Sequence, residues 1–66
     1  MPNDGILHYE IAKVYALMND SENAIQNLKR SIEITYNYIK FTSTEPEFAS
    51  LRDNEEFKNL LGSYYR

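Results

Sequence analysis

The apolar residues of this 66-residue chain recur every three or four positions, and short polar segments interrupt the recurrence. This spacing is typical of α-helices, whereas a half-buried strand would alternate apolar and polar residues. The first recurrence predicts a helix over about residues 4–18 with an inward stripe of Leu7, Ile11, Val14, Tyr15 and Met18. The chain is therefore expected to be all-α.

A turn signal at Asn19-Asp20-Ser21 separates the first helical pattern from the second. Asparagine tolerates the left-handed backbone conformation that ends many helices, and Asp or Ser accepts the first free N–H groups of a new one. The signal predicts a tight turn between two antiparallel helices, which together form a hairpin over residues 4–41.

The second helical pattern has apolar residues on two nearly opposite sides. One stripe contains Ile25, Leu28, Ile32, Tyr36 and Ile39, and the other contains Ile34, Tyr38 and Phe41. A simple two-helix hairpin would leave one of these stripes in water as a patch of interface size. We therefore expect the second helix to continue to about Lys40 and to be covered on both sides.

The last third of the chain supplies a candidate cover. Thr44-Glu45-Pro46-Glu47 has the spacing of a capping box with proline in the first turn, which predicts a short helix carrying Phe48 and Leu51. Asp53-Asn54-Glu55-Glu56 then opens a final helix with Phe57, Leu60 and Leu61 inward. Residues 44–64 are thus predicted to form a helical cap, and residues 1–66 a single small unit.

Composition and charge exclude several classes of function. The seven basic residues are scattered and the net charge is −3, so we expect no nucleic-acid partner. The longest apolar run, Val14 to Met18, is far shorter than the roughly 20 residues that a bilayer requires, so we expect no membrane span. The first residues contain neither a basic start nor an apolar stretch, which favours a cytoplasmic location.

Positions in the predicted hairpin resemble the 34-residue tetratricopeptide repeat. The positions that match its aromatic, small and large apolar residues are His8, Ile11, Ala12, Tyr15, Ala24, Leu28 and Ser31. His8 stands where tryptophan is usual, and Tyr36 stands where a helix-ending proline is usual. Two helix backbones must come close at Ala12 and Ala24 if the resemblance holds.

The tail is also similar to a segment that closes the last repeat of many bacterial tetratricopeptide proteins. The similarity lies in the spacing of Phe48, Leu51, Arg52, Phe57, Leu60 and Leu61. The two resemblances imply a terminal repeat hairpin whose outer side receives a helical cap. A lone repeat is unusual, because repeats bury their apolar faces on neighbours.

A second side of the first predicted helix is the candidate partner-binding face, and its residues are Ile6, Tyr9, Lys13, Ala16 and Leu17. An exposed helix would ordinarily carry charges there. The family resemblance implies a groove that holds a peptide, with Tyr9 and Lys13 as contacts. Alternatively, this face packs on a preceding repeat or on a second copy of the chain.

No catalytic, metal or cofactor site is expected. His8 lacks an orienting partner at helical spacing, because Glu10 lies on another side of the helix. The acidic run 53–56 lacks the spacing of a calcium loop, and a chain with one His and no Cys has no zinc-site pattern.

These observations predict a non-enzymatic protein-interaction or scaffolding module that binds a protein or peptide segment or neighbouring repeats. The alternative is a structural unit that self-associates into a homo-oligomer. A third possibility is that the chain is a fragment of a larger repeat array or of an enzyme.

Overall fold

The first and second helices of the chain form an antiparallel hairpin in the computed structural model, which describes residues 5–64 and the side chains of residues 5–63. Helix α1 spans Gly5–Leu17 and α2 spans Ser21–Ile34. The hydroxyl of Ser31 donates to the carbonyl oxygen of Gly5 at 2.8 Å, which holds the end of α2 against the start of α1. The all-α prediction is confirmed.

The turn between α1 and α2 follows the sequence signal. Asn19 has a φ of 61°, the left-handed conformation expected of the residue that ends a helix. Asp20 is the N-cap of α2, and its carboxylate accepts from the backbone N–H of Asn23 at 3.3 Å. The prediction of a tight helical hairpin is confirmed in this part of the chain.

The expected extension of the second helix to Lys40 is wrong. Helix α2 ends at Ile34 because Thr35 adopts an extended conformation, with φ −135° and ψ 93°. The chain then forms a 3₁₀ helix over Tyr36–Tyr38 and a short helix α3 over Ile39–Thr42. This change of direction splits one predicted stripe, because Ile39 is buried and Tyr36 is exposed. The expected cover on both sides is also wrong at Phe41 of the opposite stripe, which is 53% exposed.

The tail contains a 3₁₀ helix over Pro46–Leu51 and the helix α4 over Glu55–Tyr64. Phe48, Leu51 and Phe57 are buried, as the sequence predicts. The capping details differ from the prediction. Glu45 is the N-cap of the 3₁₀ helix and makes no side-chain capping hydrogen bond, whereas the side chain of Asn54 accepts from the backbone N–H of Phe57 at 3.1 Å.

The side of α1 that faces inward is not the predicted stripe. The buried residues of α1 are Gly5, Tyr9, Ala12 and Ala16. Small side chains let two backbones approach closely, and Ala12 and Ala24 are both fully buried, as the close approach predicted for these two alanines requires. Three members of the predicted stripe, Leu7, Val14 and Met18, are consequently more than half exposed.

The two glycines of the chain test this close approach. A Cβ added to Gly5 would lie 2.6 Å from Oγ1 of Thr35 and 3.3 Å from the carbonyl oxygen of Ser31, whereas a Cβ on Gly62 would meet nothing within 4 Å. We expect Gly5→Ala to lower the free energy of unfolding by about 1–2 kcal/mol through overpacking. Gly62→Ala should raise it by up to about 1 kcal/mol, because alanine is the better helix former.

Urea unfolding of both glycine variants beside the unmodified chain measures this difference. Equal stabilisation by the two substitutions would contradict the close packing of Gly5 on the end of α2.

Candidate functional site

Tyr9 belongs to the core of the chain, so the expectation that it is an exposed partner contact is wrong. Its side chain is only 4% exposed. The ring stacks on Tyr38 with centroids 4.8 Å apart and meets the edge of Phe48 at 5.5 Å. The first 3₁₀ helix and the tail supply these rings, and the sequence pattern of α1 alone does not reveal that they cover Tyr9.

Ala16 is also buried rather than exposed on a binding face. Its carbonyl oxygen accepts from the hydroxyl of Ser50 at 3.1 Å, which ties the second 3₁₀ helix to the last turn of α1. Because alanine leaves room for close packing, this side of α1 receives the tail. Ala16 is therefore a packing residue of the folded chain.

The hydroxyl of Tyr9 donates to Oε2 of Glu45 at 2.8 Å. Burial raises the pKa of Tyr9 well above its usual value, and the hydrogen bond and charge of Glu45 raise it further, because both disfavour the tyrosinate. A buried hydroxyl on a carboxylate is a strong neutral-to-charged contact. It fixes the start of the tail on the middle of α1.

Lys13 lies at the edge between the buried and exposed sides of α1, with 19% of its side chain exposed. Its Nζ is 3.2 Å from Oε2 of Glu10 and 5.6 Å from the centroid of the Tyr9 ring. Burial lowers the pKa of Lys13, but the hydrogen bond and charge of Glu10, with the charges of Glu45 and Glu47, outweigh burial and hold the pKa above its usual value. The lysine ammonium is thus paired with Glu10 and stabilised by the charges of Glu45 and Glu47.

The exposed side of α1 is strongly apolar. Two predicted site residues, Ile6 and Leu17, lie there with three residues that the sequence pattern had placed in the core. We call these five the outer face: Ile6, Leu7, Val14, Leu17 and Met18, each between 52% and 68% exposed. A signal for this arrangement exists in the sequence, because Gly5, Ala12 and Ala16 form a row of small residues that marks the inward side.

Glu47, which the sequence pattern assigned to a capping box, is a carboxylate beside α1. Its Oε1 is buried and has no hydrogen-bond partner among the described residues. Burying an acceptor without a partner is costly, so native proteins rarely leave one. The oxygen is enclosed by the chain itself, so a group on the surface does not reach it without a rearrangement.

His8 makes a structural contact. Its Nδ1 lies 3.2 Å from Oδ1 of Asn27, which joins α1 to α2. Within residues 5–64, no three acidic, histidine or cysteine side chains are grouped so that they could hold a metal ion. None of the helices described between residues 5 and 64 is long and apolar enough to span a membrane.

A concave surface, separate from the outer face, lies between α2 and α4. This groove has a volume of about 340 Å³ and is lined by Ile25, Lys29, Glu56, Asn59, Leu60 and Ser63. Its lining mixes one cation, one anion and neutral groups, so it shows no single ligand chemistry. It also contains none of the predicted site residues.

No family model matches the chain, and comparison with curated proteins and with solved structures finds no match either. The tetratricopeptide resemblance therefore rests on the residues and spacings of the chain itself.

Removing the Tyr9 hydroxyl tests the contact between α1 and the tail. We expect Tyr9→Phe to lower the free energy of unfolding by about 1–3 kcal/mol at neutral pH, because it removes a hydrogen bond to a charged group. Tyr15→Phe, which keeps a partly buried ring of the same helix, is the matched control and should change stability by less than about 0.5 kcal/mol. Equal effects of the two substitutions in urea unfolding would refute the contact.

The raised pKa of Tyr9 also predicts an alkaline loss of stability. The folded chain holds the tyrosine proton more tightly than the unfolded chain. The contribution of this proton to the free energy of unfolding is therefore complete below pH 10 and falls as the pH rises above 10. The slope that one such proton adds is about 1.4 kcal/mol per pH unit. Between pH 9 and 11, the free energy of unfolding should therefore fall less steeply with pH for Tyr9→Phe than for the unmodified chain. The same pH dependence in both would count against the burial of this hydroxyl.

Proposed function

We propose that this chain is a non-enzymatic protein-interaction module of the tetratricopeptide type, in which the outer face of α1 docks a helical segment of a partner or of a neighbouring repeat. The observation that carries the proposal is the exposure of five large apolar side chains, four on α1 and Met18 in the turn that follows it. A helix that is apolar on all sides normally lies buried. In the folded chain, only the inner side of α1 is buried.

The size of the outer face supports docking. Fully burying a Val, Leu, Ile or Met side chain contributes about 1.5–3 kcal/mol at about 25 cal/mol per Å², which corresponds to roughly 60–120 Å² each. Five such side chains that are each more than half exposed present on the order of 300 Å² of apolar surface. Apolar patches of roughly 300–600 Å² on monomers are often functional. Here the exposed carboxylate of Glu10 lies on the same side of the helix, between Ile6 and Val14.

The packing of the hairpin supports the tetratricopeptide type. Ala12, Ala24, Leu28 and Ser31 occupy matching positions of the repeat pattern, and all four are buried between the two helices. The tail packs on the inner side of α1 through Tyr9 and Phe48. A terminal repeat with one capped side and one open side fits this arrangement.

A double substitution on the outer face tests the proposed function. The probe is an 18-residue amphipathic peptide with leucines on one helical side and glutamines elsewhere. We expect the variant with Val14→Gln and Leu17→Gln to bind it at least about 10-fold more weakly, because it loses the burial of two apolar side chains. Phe41→Gln, which removes an exposed apolar side chain from α3, is the matched control and should leave binding unchanged.

Fluorescence anisotropy of the labelled peptide gives the affinities, and NMR chemical shifts of the chain locate the contact. Peptide-induced shifts at Ile25 and Leu60 rather than at Val14 and Leu17 would contradict docking on α1 and place the contact in the groove between α2 and α4. A sedimentation-equilibrium mass that rises from one chain to two would instead favour the competing function, which is self-association through the same face.

A further inference from the structure

The tail runs alongside α1 and brings its carboxylates to one border of the outer face. Glu45 contacts the hydroxyl of Tyr9, and Ser50 contacts the carbonyl oxygen of Ala16 almost two turns further along the helix. The intervening Glu47 therefore lies beside the middle of α1. Lys13 lies between Tyr9 and Ala16 in sequence and projects toward the same border.

Charge at this border is unbalanced. Three carboxylates, those of Glu10, Glu45 and Glu47, act on the ammonium group of Lys13. The guanidinium of Arg52 donates to the carbonyl oxygen of Glu45 at 3.2 Å, so the border carries three negative and two positive groups. Lys13 already pairs with Glu10, and Glu45 accepts from Tyr9. The buried Oε1 of Glu47 has no donor among the described residues. A partner that covers the outer face would bring its own groups close to these carboxylates.

We propose that the partner of the outer face is an amphipathic helix whose apolar side is flanked by Lys or Arg, with a basic side chain directed toward the border formed by the carboxylates of Glu10, Glu45 and Glu47. This inference rests on the proposed function and adds the charge of the partner to it. Apolar contact with Val14, Leu17 and Met18 supplies affinity. Pairing with the carboxylate border sets the orientation and speeds association, which is the usual part that charge plays at interfaces.

The same charges disfavour a second copy of the chain as the occupant. Two outer faces pressed together would bring two acidic borders into proximity, and each copy has two cations, Lys13 and Arg52, against its three carboxylates. Like charges placed together at an interface oppose binding. The chain as a whole is also acidic, with a net charge of −3.

Two peptides of equal length distinguish this inference from the proposed function. Both are 18-residue helices with the same leucine side, and one carries lysines along its flanks where the other carries glutamates. At low salt we expect the lysine peptide to bind the unmodified chain at least about 10-fold more tightly, and the preference should shrink in about 1 M salt as the charges are screened. Glu47→Gln should reduce the preference several-fold.

Glu55→Gln is the matched control for Glu47→Gln, because it removes one carboxylate from α4 without touching the α1 border. Leu17→Asp separates docking from general attraction between opposite charges. This substitution makes the chain more acidic, yet it should lower the affinity for the lysine peptide at least about 10-fold, because it removes apolar contact. Tighter binding by this variant would overturn the inference.

The remaining outcomes are also decisive. Equal binding of both peptides, lost in the variant with Val14→Gln and Leu17→Gln, would leave the proposed function standing and overturn the basic partner. Tighter binding of the glutamate peptide than of the lysine peptide would also overturn the basic partner and leave the proposed function standing. Failure of lysine, glutamate and glutamine peptides alike to bind would overturn the proposed function as well. A two-chain mass at low salt that returns to one chain in the variant with Val14→Gln and Leu17→Gln would show that a second copy occupies the face, and it would overturn the inference.

Discussion

The close approach of α1 to α2 determines which parts of this chain are buried and which are exposed. Gly5, Ala12 and Ala16 form the inward side of α1, and the start of that helix is held to Ser31 by a buried hydrogen bond. Interiors of proteins are packed nearly as tightly as crystals, so a row of small residues commits a helix to a narrow range of rotation about its axis. The larger residues of α1 then have to face outward.

The tail depends on the same rotation. Turning the small-residue side of α1 inward also turns Tyr9 inward, where Tyr38 and Phe48 pack on its ring. Phe48 in turn packs near Phe57 of α4, with centroids 6.3 Å apart. A continuous set of aromatic contacts thus joins the hairpin to the tail, and the hydrogen bond to Glu45 fixes where the tail begins. The tail covers one side of α1 and leaves the other side open.

Much of the fold is predictable from local signals in the sequence. The turn at Asn19 and Asp20 and the burial of Phe48, Leu51 and Phe57 follow from capping chemistry and helical spacing. The end of α2 does not, because it depends on how Thr35 packs over Gly5, a contact between residues 30 positions apart. Local pattern specifies the presence of a helix better than its end.

The candidate site was harder to predict for a related reason. Helix α1 has apolar residues on every side, so hydrophobic spacing could not choose between the stripe of Leu7 and Met18 and the row of Ala12 and Ala16. Ile6 and Leu17 proved to be exposed, whereas Tyr9 and Ala16 proved to be buried. The tertiary contacts of the tail distinguish these cases, and in the sequence the row of small residues points to the same inward side of α1. Small residues at helical spacing deserve as much weight as large ones in such a helix.

NMR with a soluble paramagnetic agent, applied to the free chain with labelled methyl groups, measures the exposure of the outer face directly. The account predicts that the methyl groups of Val14, Leu17 and Met18 relax as rapidly as fully accessible methyls, whereas those of Leu28 and Ile32 stay protected. Protection of Val14 and Leu17 to the level of Leu28 in the free monomer would contradict it, because α1 would then be rotated and the proposed docking face buried.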